Sequence, residues 1–192
     1  MCGIAGWTSE VPKTFGFNIL NKASERGCDG YGVLKVDSGS ITKKAKRFNN
    51  HDYIKDFNNF AILAHFRLHT IINTSNDESY LQPLKYKDCY ISHNGYINNK
   101  NIQNESDSFV LLKSIYKENF NISKTVKKLN INQIALVVYN SKNCTFYLYR
   151  DQMPLYAWKK TGVKKRAFCS KKVNKSFKLI PEREVIKFKN GW

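Results

Sequence analysis

Four short stretches carry residue types that catalyse or bind through charge and hydrogen bonds. The first is the opening MCGIAGW, where a cysteine lies directly behind the initiator methionine. Aminopeptidases remove Met when the next side chain is small, which would leave Cys2 with a free α-amino group. A terminal amine titrates near ~7.7–8.0 against ~8.5 for a thiol, so at neutral pH it is a built-in base beside a nucleophile. A small buried cysteine without chemistry is the plain alternative. The second stretch is AHFRLHT. Arg67 leaves the end of an apolar run, and a guanidinium holds a carboxylate bidentately where lysine does so poorly; a surface arginine paired with a nearby acid fits equally. His65 and His69 flank it without a third ligand, so no metal site is expected.

The third stretch is HNG at 93–95. Asn followed by Gly lets the chain turn with positive φ, and such a turn can aim the Asn94 amide and the Gly95 N–H at one point. Two convergent donors are what a tetrahedral oxyanion requires; an ordinary hairpin turn is the alternative. The fourth is SDS at 106–108, where Asp107 begins a helix and either caps it or faces an ammonium group.

The elements that must position these residues follow from periodicity. GIAGW reads as a buried strand, FGFNILNKASER as a helix ending at Gly27, and YGVLKV with SITKKAKRF as a strand pair turning at Asp37-Ser38-Gly39. FAILAHF is an apolar strand, residues 70–83 a polar loop, and YKDCYISHNG another strand. DSFVLLKSIYKENF is a helix in which Phe109, Leu112, Tyr116 and Phe120 share a face. IALVVYN, CTFYLYR, PLYAW, RAFCS and EVIKF supply further short strands. Few strand–helix–strand alternations occur, which favours layered antiparallel sheets over a doubly wound parallel sheet.

Composition narrows the class. A chain of 192 residues that is 42% hydrophobic and 14% aromatic can bury a sizeable core without staples, and with no linker or repeat it reads as a single domain over 1–192. No run is long and apolar enough for a spanning helix, and the basic-then-apolar start of a signal peptide is missing, so a cytoplasmic location is expected. Five scattered cysteines (Cys2, Cys28, Cys89, Cys144, Cys169) hold no CxxC pair and no zinc-ligand spacing. The net charge of +17 invites a polyanion partner. Most of the excess is lysine, however, and Asn and Ile are also abundant, as an A/T-rich genome would write for any function. The excess concentrates in residues 159–192, with twelve basic and two acidic residues.

Taken in order, MCGIAGW, SERGCDGYG, AHFRLHT, QPL, ISHNGYINN, ESDSFVLL and YRDQMPLYAW resemble the glutaminase domain of class II glutamine amidotransferases, a family of N-terminal-nucleophile hydrolases. The resemblance spans about residues 2–158. It implies an α+β fold, a four-layer α/β/β/α sandwich of two antiparallel sheets. It implies that Cys2 attacks the side-chain amide of L-glutamine, its own amine assisting proton transfer, with Asn94 and Gly95 as the oxyanion hole. It places Arg67 on the substrate α-carboxylate with Thr70 nearby, and Asp107 on the α-ammonium. Arg26 and Asp29 fall in the family's Arg-Gly-x-Asp turn as supporting residues. No cofactor is implied. Residues 70–83 would then close over bound substrate.

Departures from the family pattern leave the implied catalytic residues in place. Gly27-Cys28-Asp29-Gly30 replaces the usual first turn, with Cys28 a second thiol near the pocket. The RDQMPLY segment is short, and Lys171 stands where a Ser-Glu pair is common. Class II amidotransferases deliver ammonia to a synthetase domain, and nothing after residue 158 carries a phosphate-loop signature. The expectation is therefore a stand-alone glutaminase with a separate synthetase partner, the basic C-terminal segment docking that partner or a nucleic-acid or nucleotide acceptor. A partner-independent γ-glutamyl amide or peptide hydrolase, and a non-catalytic basic nucleic-acid-binding module, are the alternatives.

Overall fold

A computed structural model describes residues 1–9, 11–49, 61–68, 78–97, 106–159 and 165–189. Thr70 and His69, and most of the expected closing loop, lie outside these residues. Among the described residues twelve strands form two antiparallel sheets. The first contains β1 (Gly3–Trp7), β2 (Gly30–Lys35), β3 (Ser40–Lys44), β4 (Ile62–Arg67), β9 (Tyr156–Lys159), β10 (Arg166–Cys169) and β11 (Lys178–Leu179), in the order β11-β9-β10-β1-β4-β2-β3. The second contains β5 (Leu84–Tyr86), β6 (Cys89–Gly95), β7 (Ile134–Asn140), β8 (Thr145–Asp151) and β12 (Ile186–Lys189), in the order β12-β8-β7-β6-β5.

Three apolar clusters separate four layers, which is the α/β/β/α arrangement expected from the resemblance. Helix α1 (Lys13–Ser24) buries Ile19, Leu20 and Ala23 against Ala5, Trp7, Ile62, Ala64 and Phe66 of the first sheet. Ile4, Leu34, Leu63 and Phe168 meet Tyr90, Ala135, Val137, Phe146 and Leu148 between the sheets. Helices α2 (Asp107–Lys117) and α3 (Ile122–Lys128) cover the far face of the second sheet, Leu111, Leu112 and Ile115 packing on Ile91, Leu136 and Val138.

Side-chain alternation with a period of two assigns faces along each strand. In β1, Ala5 and Trp7 pack toward α1 while Ile4 points between the sheets. Cys2, two residues before Ile4, shares the inter-sheet parity. In β4, Ala64 and Phe66 pack toward α1 and Leu63 points between the sheets, which gives His65 and Arg67 the inter-sheet parity too. In β6, Cys89 and Ile91 face the helices and Tyr90 faces the other sheet, so Asn94 points inward and His93 toward α2. Gly3 pairs with Phe66, so the start of β1 lies beside the end of β4. Gly3 itself is required by close packing, because a Cβ there would run into the backbone carbonyl of Ala23.

The structure departs locally from the periodicity reading. Helix α1 stops at Ser24, short of Gly27. The segment YKDCYISHNG is a hairpin rather than one strand, β5 and β6 joined where Lys87 adopts φ 51. Helix α3 and strand β11 were not read from the sequence. The basic C-terminal residues include Lys178 on β11 and Lys187 and Lys189 on β12, all exposed on the outer strands of their sheets. Lysines there also keep an open strand edge from pairing with other chains.

Candidate active site

Three of the four sequence stretches meet at one end of the inter-sheet core, and the fourth, SDS, approaches the Asn94 strand end from the α2 side through Ser108, Gln82 and His93. The backbone N–H of Cys2 donates to Asn94 Oδ1 at 3.3 Å, across 92 residues of sequence. That contact fixes the amide orientation, since a backbone N–H can only donate and the side-chain oxygen must face it. Asn94 Nδ2 is thereby turned away. It is buried and has no hydrogen-bond partner among the described residues. A buried unsatisfied donor costs about 1–3 kcal/mol, which makes it a candidate for a bound acceptor. Gly95 follows at φ +151, with no room for a Cβ beside the Gln133 carbonyl.

The turn between α1 and β2 wraps the other side of Cys2. Arg26 Nε donates to the Cys2 carbonyl at 3.1 Å and Nη1 to the Ser170 carbonyl at 3.1 Å. Ser170 in turn locks the base of β1. Its Oγ accepts from Ile4 N–H at 2.9 Å and its own N–H donates to the Ile4 carbonyl at 2.8 Å. The Asp29 N–H donates to the Arg67 carbonyl at 3.0 Å, tying the same turn to the end of β4. Arg67 places its guanidinium 5.9 Å from the centre of the Tyr80 ring. The Cys2 Sγ lies 3.9 Å from the Leu68 carbonyl. Burial pushes the Cys2 thiol above its ordinary range, against the opposing pull of the terminal ammonium, Arg67 and Arg26.

Asp107 occupies the first turn of α2, and it is not the cap. Ser106 performs that function, its side chain accepting from Phe109 N–H, so the Asp107 carboxylate is available for other contacts. Its Oδ1 accepts from Ser108 N–H at 2.6 Å and from Ser108 Oγ at 3.2 Å. Behind it stands a buried polar group that the sequence reading did not assign: His93, Gln82, Ser108 and His65. Burial holds His93 below its ordinary pKa although the Asp107 carboxylate pulls the other way, and burial drives His65 down to about 3. Both imidazoles are neutral at physiological pH. The QPL and HNG motifs were the sequence signal for Gln82 and His93; alternation would have sent His93 to the helix side, but nothing local named its partner.

Three comparisons bear on this geometry. The sequence matches no family model and no curated protein sequence. Solved structures do match. The phosphoribosylpyrophosphate amidotransferase from B. subtilis is 14% identical with a TM-score of 0.67, over 100% of this chain and 49% of that one. A second, an allosteric regulatory enzyme of purine biosynthesis, is 15% identical with a TM-score of 0.63, over 88% and 42%.

This chain has the class II glutamine amidotransferase fold.

A predicted glutamine amidotransferase from Pseudomonas aeruginosa PA01 shares it over 99% of this chain and 94% of that one, at 11% identity and a TM-score of 0.58. The chain spans about half the length of the first two solved structures. At these identities the amidotransferase fold has been kept while most side chains differ, so the site must be argued from its own residues. No helix among the described residues is long and apolar enough to cross a membrane.

Proposed function

We propose that this chain hydrolyses L-glutamine to glutamate and ammonia, with Cys2 as nucleophile after removal of Met1, and delivers the ammonia to a separate synthetase partner. The observation that carries this reading is the Cys2–Asn94 pair: the future α-amine of Cys2 holds one end of an amide whose other end is a buried donor with no partner among the described residues. In the proposed reaction the thiol attacks the side-chain amide carbon and the α-amine takes its proton. The oxyanion lies against Asn94 Nδ2 and Gly95 N–H. Collapse expels ammonia with the proton returned by the amine, and water, activated by the same amine, cleaves the thioester to release glutamate. Arg67 holds the substrate α-carboxylate, Asp107 the α-ammonium, and Arg26 and Asp29 fix the turn around Cys2. Thr70 is assigned beside Arg67 on the resemblance alone.

A partner is supported by the surface around the site. Leu68, Tyr80 and Tyr96, next to Arg67 and Gly95 in space or sequence, are 36%, 46% and 74% exposed. Exposed large apolar side chains beside a site are a feature of protein–protein contact surfaces. This favours delivery to a docked synthetase over a partner-independent γ-glutamyl hydrolase. A nucleic-acid or nucleotide acceptor at residues 159–192 rests on charge, with Lys172, Lys175 and Lys178 exposed.

The test is intact-mass analysis after incubation with a diazoketone analogue of glutamine. The expected result is a chain lacking Met1 with a single adduct on Cys2; an adduct on exposed Cys28 instead, or none, overturns the reading. A pH profile gives an independent check. Burial favours the neutral thiol of Cys2, so in this reading the neutral α-amine accepts its proton. The value of kcat/KM should therefore climb from about pH 6 and level above about pH 8, where a terminal amine of ordinary pKa is deprotonated. A profile flat over that interval would exclude the amine as base.

A further inference from the structure

Gln82 is 7% exposed and stands two residues before Leu84, where β5 begins. Leu84 pairs with Ile91, and carrying that register two residues back sets 82 opposite 93. There the side chain of Gln82, rather than its backbone, completes the ladder. Its Oε1 accepts from His93 N–H at 2.6 Å. Because that N–H can only donate, the amide orientation is determined and Nε2 must face the other way. Nε2 is 3.3 Å from His93 Nδ1 and 3.3 Å from Ser108 Oγ, and its two protons serve both.

The remaining directions follow. His93 Nδ1 is an acceptor, so its ring proton is on Nε2. Ser108 Oγ accepts from Gln82 and gives its own proton to Asp107 Oδ1 at 3.2 Å. A continuous chain of hydrogen bonds thus joins the Asp107 carboxylate through Ser108 and Gln82 to His93, the residue directly before Asn94 and Gly95, with Gln82 Nε2 donating toward both ends. One side chain bridges the residue assigned to the substrate ammonium and the strand end that carries the oxyanion donors.

We infer that Gln82 is a positioning residue that couples occupation of the amino-group subsite to the geometry of the oxyanion hole. The inference rests on the proposed glutamine hydrolysis. A substrate ammonium on Asp107 pulls that carboxylate, and the hydrogen-bonded chain carries the displacement to the Asn94–Gly95 turn. The α-amino group of glutamine then contributes to kcat as well as to KM, although it lies at the opposite end of the substrate from the reacting amide.

The experiment compares L-glutamine with glutaramate, which lacks the α-amino group, in the full-length wild type, Gln82→Met and Ser108→Ala. Wild type should turn over glutamine with a kcat about tenfold above that for glutaramate, a coupling of ordinary size for groups in one network. In both variants kcat for glutamine should fall to about the glutaramate level, and the ratio of the two kcat values should approach one, the penalty for glutaramate remaining in KM. Equal loss of kcat for both substrates, with the tenfold ratio kept, would show a merely structural glutamine and overturn the inference. Where Gln82→Met fails to fold, Ser108→Ala reads the same ratio, since it removes one hydroxyl and leaves the Gln82–His93 contacts in place. Wild type without glutamine turnover would overturn the proposed reaction and this inference with it. Wild type that turns over both substrates with equal kcat would overturn the inference alone.

Discussion

Cys2→Ala should release no measurable ammonia from glutamine, a loss of at least about 10⁴-fold in kcat, because removing the nucleophile of a covalent mechanism leaves only binding and the oxyanion hole. The fold should be untouched. Cys2 precedes β1, its Sγ makes one long contact to the Leu68 carbonyl, and its backbone contacts to Asn94 and Arg26 do not involve the side chain. Alanine at position 2 also leaves Met1 removable, so the variant keeps the free amine and isolates the thiol. Glutamate release measured on matched preparations of wild type and variant decides the matter, and turnover in Cys2→Ala near the wild-type rate would remove Cys2 from the chemistry. The other four cysteines offer no substitute within the same geometry: Cys89 and Cys169 are buried with thiols pushed up to about 12 by desolvation, Cys144 lies at the β7–β8 turn, and Cys28 is exposed.

Asn94→Ala should lower kcat by about 10²–10³ with a much smaller change in KM, as expected for a donor that meets its acceptor only in the transition state. Stability should move little or rise. The substitution gives up the 3.3 Å bond from Cys2 N–H, a net loss of about 1 kcal/mol, and relieves a buried Nδ2 that has no partner among the described residues, which costs about 1–3 kcal/mol. Thermal melting of the variant beside its kinetics separates the roles. A kcat deficit at unchanged or raised Tm marks a donor held ready for a ligand, whereas a fall in Tm of ten degrees or more would make Asn94 a structural residue. The first outcome would be a direct case of stability given up for function at one atom.

Much of the framework was legible because its signals are local. The Asp37-Ser38-Gly39 turn between β2 and β3 is present, with Gly39 at φ +65, as a glycine after two polar residues suggests. Where signals are weak the reading failed for stated reasons. ISKTVKK forms α3 although it mixes β-branched residues into seven positions; Asn121 caps it and Ile122 and Val126 anchor it on the second sheet, a tertiary gain that local propensity does not show. The β5–β6 turn was missed because Lys87 adopts a left-handed conformation without the glycine or asparagine that would announce it. Of the two roles open to Asp107, the cap is taken one residue earlier, by Ser106.

The sequence by itself determined the chemical set: a cysteine able to become N-terminal, one arginine at a strand end, an Asn-Gly turn, an aspartate at a helix start, and the apolar strands that carry them. Tertiary structure alone decided that the face holding Cys2 and Ile4 meets the Asn94 face of β6, that Arg26 and Ser170 clamp the start of β1, and that Gln82 joins His93 to Ser108. The physical reason is range. Face assignment within a strand follows from a two-residue period carried in the chain itself, whereas which faces meet is settled by burying the apolar sides of two sheets against each other. That nonlocal burial brings the Cys2 backbone and Asn94 together across 92 residues and leaves one amide nitrogen of Asn94 without a partner among the described residues.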